Sequence, residues 1–206
     1  MVKPKKRIWI QNHVKDLHVK KSTRDGYRSR ASYKLLQIDG KDKILEVGMI
    51  VVDLGAAPGG WAQVASKSVG KSGVVVAIDL LPIEAIVGVN ILQGDLDDNT
   101  VFSRLQNMVG FKRADVIMSD MAPNLTGISD IDGPKIIHLA NLALELSEQI
   151  LKNGGSLVVK LFHSEEVNGF VRKLRRVFNT LKIRKPTASR SSSSEFYVVA
   201  KGYRGC

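Results

Sequence analysis

The sequence predicts a single α/β domain with a mostly parallel seven-stranded sheet, an antiparallel edge and helices on both faces. Short apolar runs rich in Val and Ile alternate with segments whose apolar residues recur at helical spacing, which is typical of βαβ units. The 206 residues suffice for one domain with a buried core, and 44% of them are apolar and 25% charged, as in ordinary globular proteins.

The first half of the domain is expected to hold four strands and two helices. A β-branched run that ends at a glycine-rich turn is typical of a buried parallel strand. The segment after it has apolar residues at helical spacing and stops at Gly70, which predicts a helix. The expected strands are 49–54, 74–80, 89–95 and 114–120, and the expected helices are 60–69 and 98–109.

The second half is expected to begin with a long helix and to end with the antiparallel edge. Pro134 suits the first turn of this helix, which should run through Lys152 and end at Asn153-Gly154-Gly155. The last two strands are joined by a loop without a helical pattern, so they should pair antiparallel. The serine-rich segment 189–194 is expected to be flexible. The remaining expected elements are strand 156–162, a basic helix at 165–178, and strands 181–185 and 195–201.

The positive charge of the chain is concentrated at its two ends. The net charge is +11; residues 1–34 and 171–206 each carry +9, and the residues between them carry −7. Basic ends around an acidic middle favour contacts with a polyanion such as nucleic acid, beside a pocket of different charge. A solvated basic surface that aids solubility is the alternative interpretation.

Several classes of protein are disfavoured by the composition. No apolar stretch approaches the roughly 20 residues that cross a bilayer, and no apolar segment follows the basic N-terminus as in a secretory signal. Cys206 cannot form an internal disulfide, which fits a reducing cytosol, and the four histidines show no metal-ligand spacing. We therefore expect a cytoplasmic protein with no membrane partner and no metal, and a monomer because no long apolar stripe is left over.

The loop D-L-G-A-A-P-G-G-W (53–61) predicts a ligand site at the end of the first strand. Ligands of open α/β sheets bind beyond the carboxyl ends of the strands, and glycines let a backbone approach a ligand closely. The loop departs from the G-x-G-x-x-G pattern of dinucleotide enzymes. Pro58 also lacks the N–H group that a phosphate cradle needs. These features disfavour NAD and favour a nucleoside without phosphates.

Two acidic residues at successive strand ends extend this prediction. Asp79 closes the second strand, where a carboxylate can accept hydrogen bonds from both ribose hydroxyls. Asp95 follows the third strand and is placed to accept from an adenine amino group. Together with the glycine turn, they suit S-adenosyl-L-methionine better than NAD. Helix capping or a solvated loop is the alternative for either residue.

Seven sequence segments together resemble the FtsJ/RrmJ family of ribose 2′-O-methyltransferases. They occur in the order of that family and cover nearly the whole chain. They are R-S-R-A-S-Y-K-L (28–35), V-V-D-L-G-A-A-P-G-G-W (51–61), D-L-L-P-I (79–83), Q-G-D (93–95), S-D-M-A-P-N (119–124), V-V-K-L-F (158–162) and S-E-F-Y-V-V-A (194–200). The resemblance implies a Rossmann-like domain that depends on S-adenosyl-L-methionine.

The resemblance also implies a catalytic tetrad of Lys34, Asp120, Lys160 and Glu195, with Lys160 as the proton acceptor. This would explain why a lysine, which resists burial, interrupts an apolar strand. A lysine accepts a proton only when it is neutral, so activity should rise toward alkaline pH. The cofactor-binding residues that we expect are Gly55, Gly59, Gly60, Trp61, Asp79, Leu80, Asp95, Leu96 and Asp120.

The substrate implied by the resemblance is a uridine of 23S ribosomal RNA in the large ribosomal subunit. We expect residues 1–34 to form a basic RNA-binding arm and residues 35–206 the methyltransferase domain. Trp61 and Tyr197 are interpreted as core or cofactor-wall residues. Alternatives are an enzyme acting on tRNA or another RNA, a non-catalytic ribosome-assembly protein, and an NAD-dependent reductase. The expected phosphate-contacting residues are Lys5, Lys6, Arg7, Arg28, Arg30, Arg172, Lys173, Arg175 and Arg176.

Overall fold

The computed structural model describes residues 17–124, 126–190 and 193–205. The predictions for Lys5, Lys6 and Arg7 and for part of the serine-rich segment lie outside these residues. The elements in chain order are α1 (Leu17–Arg24), α2 (Ser32–Asp42), β1 (Ile50–Leu54), α3 (Gly60–Val69), β2 (Val74–Asp79), β3 (Val89–Gln93), α4 (Asn99–Val109), β4 (Ala114–Ser119), α5 (Ser129–Ile150), β5 (Leu151–Phe162), α6 (Val167–Val177), β6 (Phe178–Arg184) and β7 (Glu195–Tyr203).

The seven strands form one sheet in the order β3-β2-β1-β4-β5-β7-β6. The four pairings from β3 to β5 are parallel, and β7 lies antiparallel between β5 and β6. The predicted fold class and its antiparallel edge are confirmed. The strand order reverses direction between β1 and β4, so the connections after these two strands diverge and leave a crevice at their carboxyl ends.

Both faces of the sheet are buried along the inner strands β1, β2 and β4, which explains why these strands are nearly continuous apolar runs. On one face, Val52, Val76 and Ile117 pack with α4, α5 and α6, and on the other face alternate residues of the same strands pack with α2 and α3. No helix within the described ranges is long and apolar enough to cross a membrane.

The predicted boundary between α5 and β5 is wrong. The helix ends at Ile150, and the strand begins at Leu151, so Asn153-Gly154-Gly155 interrupts a strand instead of ending a helix. Ala114 of β4 pairs with Leu151, but Val116 pairs with Ser156, because the glycine-containing segment bulges out between them. The placement of Pro134 in the first turn is also wrong: the helix begins at Ser129, so Pro134 lies in its second turn, where it removes one N–H donor of the helix.

Helix α2 crosses the predicted boundary between the basic arm and the methyltransferase domain. It begins at Ser32, and its residues Leu35 and Ile38 are buried against the sheet. The segment that carries Lys34 is therefore anchored to the core at the start of this helix. The division of labour between residues 1–34 and 35–206 stays a prediction.

Candidate active site

Strand register brings Asp120, Lys160 and Tyr197 side by side at the carboxyl edge of the sheet. Met118 of β4 pairs with Val158 of β5, so two residues further along Asp120 is level with Lys160. Lys160 in turn pairs with Tyr197 of β7. Because side chains alternate between the two faces of a strand, these three residues point to the same face, which is the face covered by α2 and α3.

The predicted tetrad forms a continuous chain of contacts through Tyr197. The Lys160 ammonium donates to the backbone carbonyl of Asp120 and lies 3.1 Å from its Oδ1. The Tyr197 hydroxyl donates to the same Oδ1 at 2.7 Å and accepts a hydrogen bond of 3.1 Å from Lys34 Nζ. Lys34 Nζ also lies 2.5 Å from Oε1 of Glu195. The four charged residues of this chain of contacts are the ones that the sequence resemblance grouped as a tetrad.

Both ion pairs of the tetrad are largely buried. The side chain of Lys160 is 7% exposed and that of Asp120 18%, and the Lys34–Glu195 pair is similarly buried. A buried ammonium group is costly unless it is paired and hydrogen-bonded, and Asp120 satisfies Lys160 with both its carbonyl and its carboxylate. This answers why a lysine can occupy an otherwise apolar strand.

Tyr197 is the functional candidate whose polar contacts the sequence interpretation missed. Its fully buried ring lies 5.6 Å from that of Trp61, as expected of a core residue, but its hydroxyl joins the two lysines through Asp120. Burial, assisted by the charges of Asp120 and Glu195, raises the pKa of Tyr197 well above its ordinary value, so the phenol remains a donor. One sequence signal could have found it. Tyr197 lies two residues after Glu195, and this spacing places both side chains on the same face of a strand.

A cavity of about 560 Å³ opens beside this chain of contacts, at the carboxyl ends of β1 to β4. This size is ordinary for a small-molecule site. Helix α5 closes the opposite wall with His138, Leu139 and Leu142. Of the predicted cofactor-binding residues, six line it: Gly55, Asp79, Leu80, Asp95, Leu96 and Asp120.

The acidic residues at the cavity are oriented by backbone amides. Asp79 accepts from the N–H of Ala57 at 2.9 Å and from that of Leu81 at 2.8 Å, and Asp95 accepts from the N–H of Asp97 at 3.0 Å. These bonds leave lone pairs on both carboxylates, which can accept from a ligand hydroxyl or amino group. Asp97 and Asp120 add to an acidic lining that suits a cationic ligand without phosphates.

Gly59, Gly60 and Trp61 do not line the large cavity. A side chain at Gly59, where φ is 107°, would meet Ile86 at 2.4 Å, and one at Gly60 would meet the Ser29 hydroxyl at 2.5 Å. The Trp61 indole donates to the carbonyl of Ala31 at 2.8 Å. These residues therefore hold α3 against neighbouring segments, and their contact with a cofactor stays a prediction.

The expected RNA-binding residues in the described part of the protein divide into two groups. Arg28 donates to the carbonyls of Pro58, Glu84 and Ala85, and Arg30 donates to that of Ala188, so both guanidinium groups brace loops near the site. Helix α6 instead buries Val167, Phe170 and Leu174 and exposes a basic face. That face consists of Arg172, Lys173, Arg175 and Arg176, and its contact with RNA stays a prediction.

The family model for FtsJ-like methyltransferases matches residues 27–203. The chain is 48% identical over 198 residues to the Ribosomal RNA large subunit methyltransferase E of Cellvibrio japonicus, a match that covers 96% of this chain and 94% of the relative. The protein of the same name from Marinobacter nauticus is 48% identical over 95% of both chains.

Two solved structures are similar in fold. A Plasmodium falciparum structure described as that of a ribosomal RNA methyltransferase aligns with a TM-score of 0.78 and 28% identity, covering 87% of this chain and all of the other. The fibrillarin/Nop5p complex aligns with a TM-score of 0.60 over 85% of this chain and 82% of the other; at 17% identity it shows the fold alone. The extent of the family match, with the identity to full-length relatives, decides the classification: the chain belongs to the FtsJ-like methyltransferase family.

Proposed function

We propose that this methyltransferase transfers a methyl group from S-adenosyl-L-methionine to the ribose 2′-hydroxyl of a uridine in 23S ribosomal RNA of the large subunit. The observation that carries the proposal is the buried Lys160–Asp120 ion pair beside an acid-lined cavity. The names of the relatives supply the class of RNA. The protein would act in the cytoplasm as a monomer, with ribosomal RNA as its partner.

The cavity fits the cofactor in charge and in hydrogen-bonding groups. S-adenosyl-L-methionine supplies a methyl group on a positively charged sulfonium and carries no phosphate. Asp79 would hold the ribose hydroxyls and Asp95 the adenine amino group, while Leu80 and Leu96 would provide apolar contacts to the nucleoside. Asp120 borders both the cavity and Lys160, so it would lie between the cofactor and the acceptor.

Lys160 is proposed as the group that accepts the proton of the 2′-hydroxyl. A neutral amine keeps two N–H donors and has one lone pair. The carbonyl and the carboxylate of Asp120 are two acceptors that can take both donors, which would leave the lone pair for the hydroxyl. Asp120 would thus orient the neutral amine of Lys160, and it would form an ion pair with the protonated ammonium form.

The other residues in this chain of contacts would hold Asp120 and Lys160 in place. Tyr197 donates to Asp120 and accepts from Lys34, and Glu195 balances the charge of Lys34. The basic face of α6 would position the RNA through its phosphates and carry little sequence information. Most of the rate would then come from holding the hydroxyl against the methyl carbon, with proton transfer as an additional factor.

The test is a map of 2′-O-methylation on the RNA of cells that lack the protein. Restoration of a single 23S uridine methylation by the wild-type gene, and by a gene carrying the exposed-surface change Lys112→Ala, but not by one carrying Lys160→Ala, is the expected result. A restored site on tRNA would move the substrate to another RNA. Full restoration by the Lys160→Ala gene would remove this residue from the chemistry, whereas absence of S-adenosyl-L-methionine binding by the purified protein would favour a non-catalytic role in ribosome assembly.

Purified substrates separate the remaining alternatives. Methyl transfer from labelled S-adenosyl-L-methionine should be measured with assembled large subunits, protein-free 23S RNA and tRNA in parallel. Transfer to ribosomal RNA in either form supports the proposal, and the ratio of the two rates identifies the preferred form. Transfer to tRNA alone would contradict it.

A further inference from the structure

Asp53 is a buried acid that the proposed reaction does not use. It lies near the end of β1, is 1% exposed, and belongs to the face of the sheet covered by α2 and α3. Among the described residues, neither of its carboxyl oxygens has a hydrogen-bond partner of normal geometry. A buried polar group without a hydrogen-bond partner is destabilising, and such groups are uncommon in folded proteins.

The position of Asp53 points to the cofactor site. Asp53 pairs with Met118 in the sheet, so its side chain lies one step behind the row of Asp120 and Lys160 on the same face. It borders a small cavity of about 20 Å³, together with Gly55, Trp61 and Asp120. Gly55 and Asp120 also border the large cavity, so the two cavities are neighbours.

The surroundings of Asp53 favour its protonated form. Burial, together with the negative charges of Asp120 and Asp79, raises the pKa of Asp53 well above its ordinary value, and the nearby N–H of Ala62 offsets only part of this. The cations of the neighbouring elements are already engaged, since Lys160 pairs with Asp120 and Lys34 with Glu195. A positive charge brought into the cavity would instead favour the ionised form of Asp53, because a nearby cation stabilises a carboxylate.

We propose that Asp53 is a positioning residue that holds a proton in the cofactor-free protein and releases it to solvent when the cationic methionine portion of S-adenosyl-L-methionine binds beside Asp120. The inference rests on the proposed function. Loss of the proton converts the Asp53 carboxylic acid to a carboxylate, which then attracts the ligand cation. Cofactor affinity should consequently rise about tenfold per pH unit wherever Asp53 is protonated in the free protein and ionised in the complex.

Calorimetric titration in two buffers of different ionisation enthalpy measures the released proton directly. Wild-type protein, Asp53→Asn and the control Glu145→Gln, which changes an exposed carboxyl on α5, should each be titrated with S-adenosyl-L-methionine. About one proton per bound ligand is expected for the wild type and the control. None is expected for Asp53→Asn, together with an affinity that no longer rises with pH.

Titration with S-adenosylhomocysteine identifies the cation. This product lacks the sulfonium charge but keeps the ammonium group, so release with both ligands assigns the effect to the ammonium, and release with the methyl donor alone assigns it to the sulfonium. Equal heats in both buffers for the wild type, or equal proton release by Asp53→Asn, would overturn the proposal. No binding by the wild-type protein would remove the proposed function and this inference with it, whereas normal binding without proton release removes the inference alone.

Unfolding by urea tests Asp53 without any ligand and shows whether the variant folds. The unfolded chain ionises Asp53 above about pH 4, while the folded chain does so only at higher pH. Wild-type stability should therefore fall, relative to Asp53→Asn, as pH rises from about 4 toward the folded-state pKa. Parallel pH profiles for the two proteins would contradict the proposal.

Discussion

Helix α2 carries a buried ion-pair cluster at each of its ends, and the two clusters use similar groups differently. At its last residue, Asp42 receives two hydrogen bonds of 2.7 Å from the Arg184 guanidinium, and Lys182 lies 3.6 Å away. In its first turn, Lys34 joins the chain that leads through Tyr197 to Lys160. The first cluster connects α2 to β6, and the second surrounds the proposed acceptor site.

The difference between the two clusters lies in the basic group. An arginine fork fixes a carboxylate in a bidentate geometry and does not give up its proton. A lysine offers a single point of charge and can act as a base once it is neutral. We therefore interpret the Asp42–Arg184 cluster as structural and the Lys160–Asp120 cluster as catalytic. The following variants would break or sharpen this contrast.

The largest expected effect is on methyl transfer by Lys160→Ala. Loss of a general base typically costs about 10²–10⁴-fold in rate. The rate should fall further because the ribose 2′-hydroxyl would no longer be held by Lys160. The matched control is Lys182→Ala, which removes the half-exposed lysine of the structural cluster and should leave transfer near the wild-type rate. Single-turnover transfer with saturating RNA is the measurement. Equal rates for the two variants would show that the clusters do not differ in the predicted way.

The next effect is on stability and comes from Arg184→Ala. Removing one partner of a buried ion pair costs about 3–5 kcal/mol, and the remaining contact with Lys182 should hold the loss near the lower figure. Methyl transfer per folded molecule should persist, because the change lies at the far end of α2. Urea unfolding together with the transfer assay distinguishes this outcome from a loss of activity in the folded protein, which would contradict a purely structural cluster.

Acid should remove the same stabilisation in the wild type. Burial raises the pKa of Asp42, but the hydrogen bonds and charges of Arg184 and Lys182 outweigh it and hold the pKa below its ordinary value. The stabilisation is therefore present above the unfolded-state pKa of about 3.9 and is lost as pH falls through the folded-state pKa. The stability difference between wild type and Arg184→Ala should shrink below pH 4, and a constant difference would exclude this linkage.

Tyr197→Phe should have a smaller effect, confined to the catalytic cluster. The variant keeps the ring against Trp61 but removes a hydrogen bond to the Asp120 carboxylate, which is worth about 1.5–3 kcal/mol. A rate loss of roughly tenfold or more is expected at saturating substrates, with little change in cofactor affinity. A change in cofactor affinity alone would instead place the hydroxyl's role in ligand binding.

The contrast between the clusters also shows where sequence reasoning succeeds. The sheet was predictable because parallel strands buried on both faces must be continuously apolar. Lys160 stood out because a charge is costly in such a strand, whereas Asp120 was identified only through the family resemblance. Tyr197 did not stand out, since an aromatic residue in a strand is the expected core residue. The contacts of Gly60 and Arg28 were equally hidden, because they depend on which loops approach each other in the folded chain.

The smallest effects are expected on the basic face of α6, which belongs to neither cluster. Each phosphate contact that is lost from single-stranded RNA should reduce the salt dependence of binding by about 0.7 in the logarithmic slope. The double variant Arg175→Ala/Arg176→Ala should therefore bind RNA more weakly with a shallower slope and bind the cofactor normally. Arg104→Ala, on α4 beside the opposite edge of the sheet, is the matched control. Equal slopes for both proteins would place RNA elsewhere, since counterion release depends on phosphates contacted and not on the total charge of the protein.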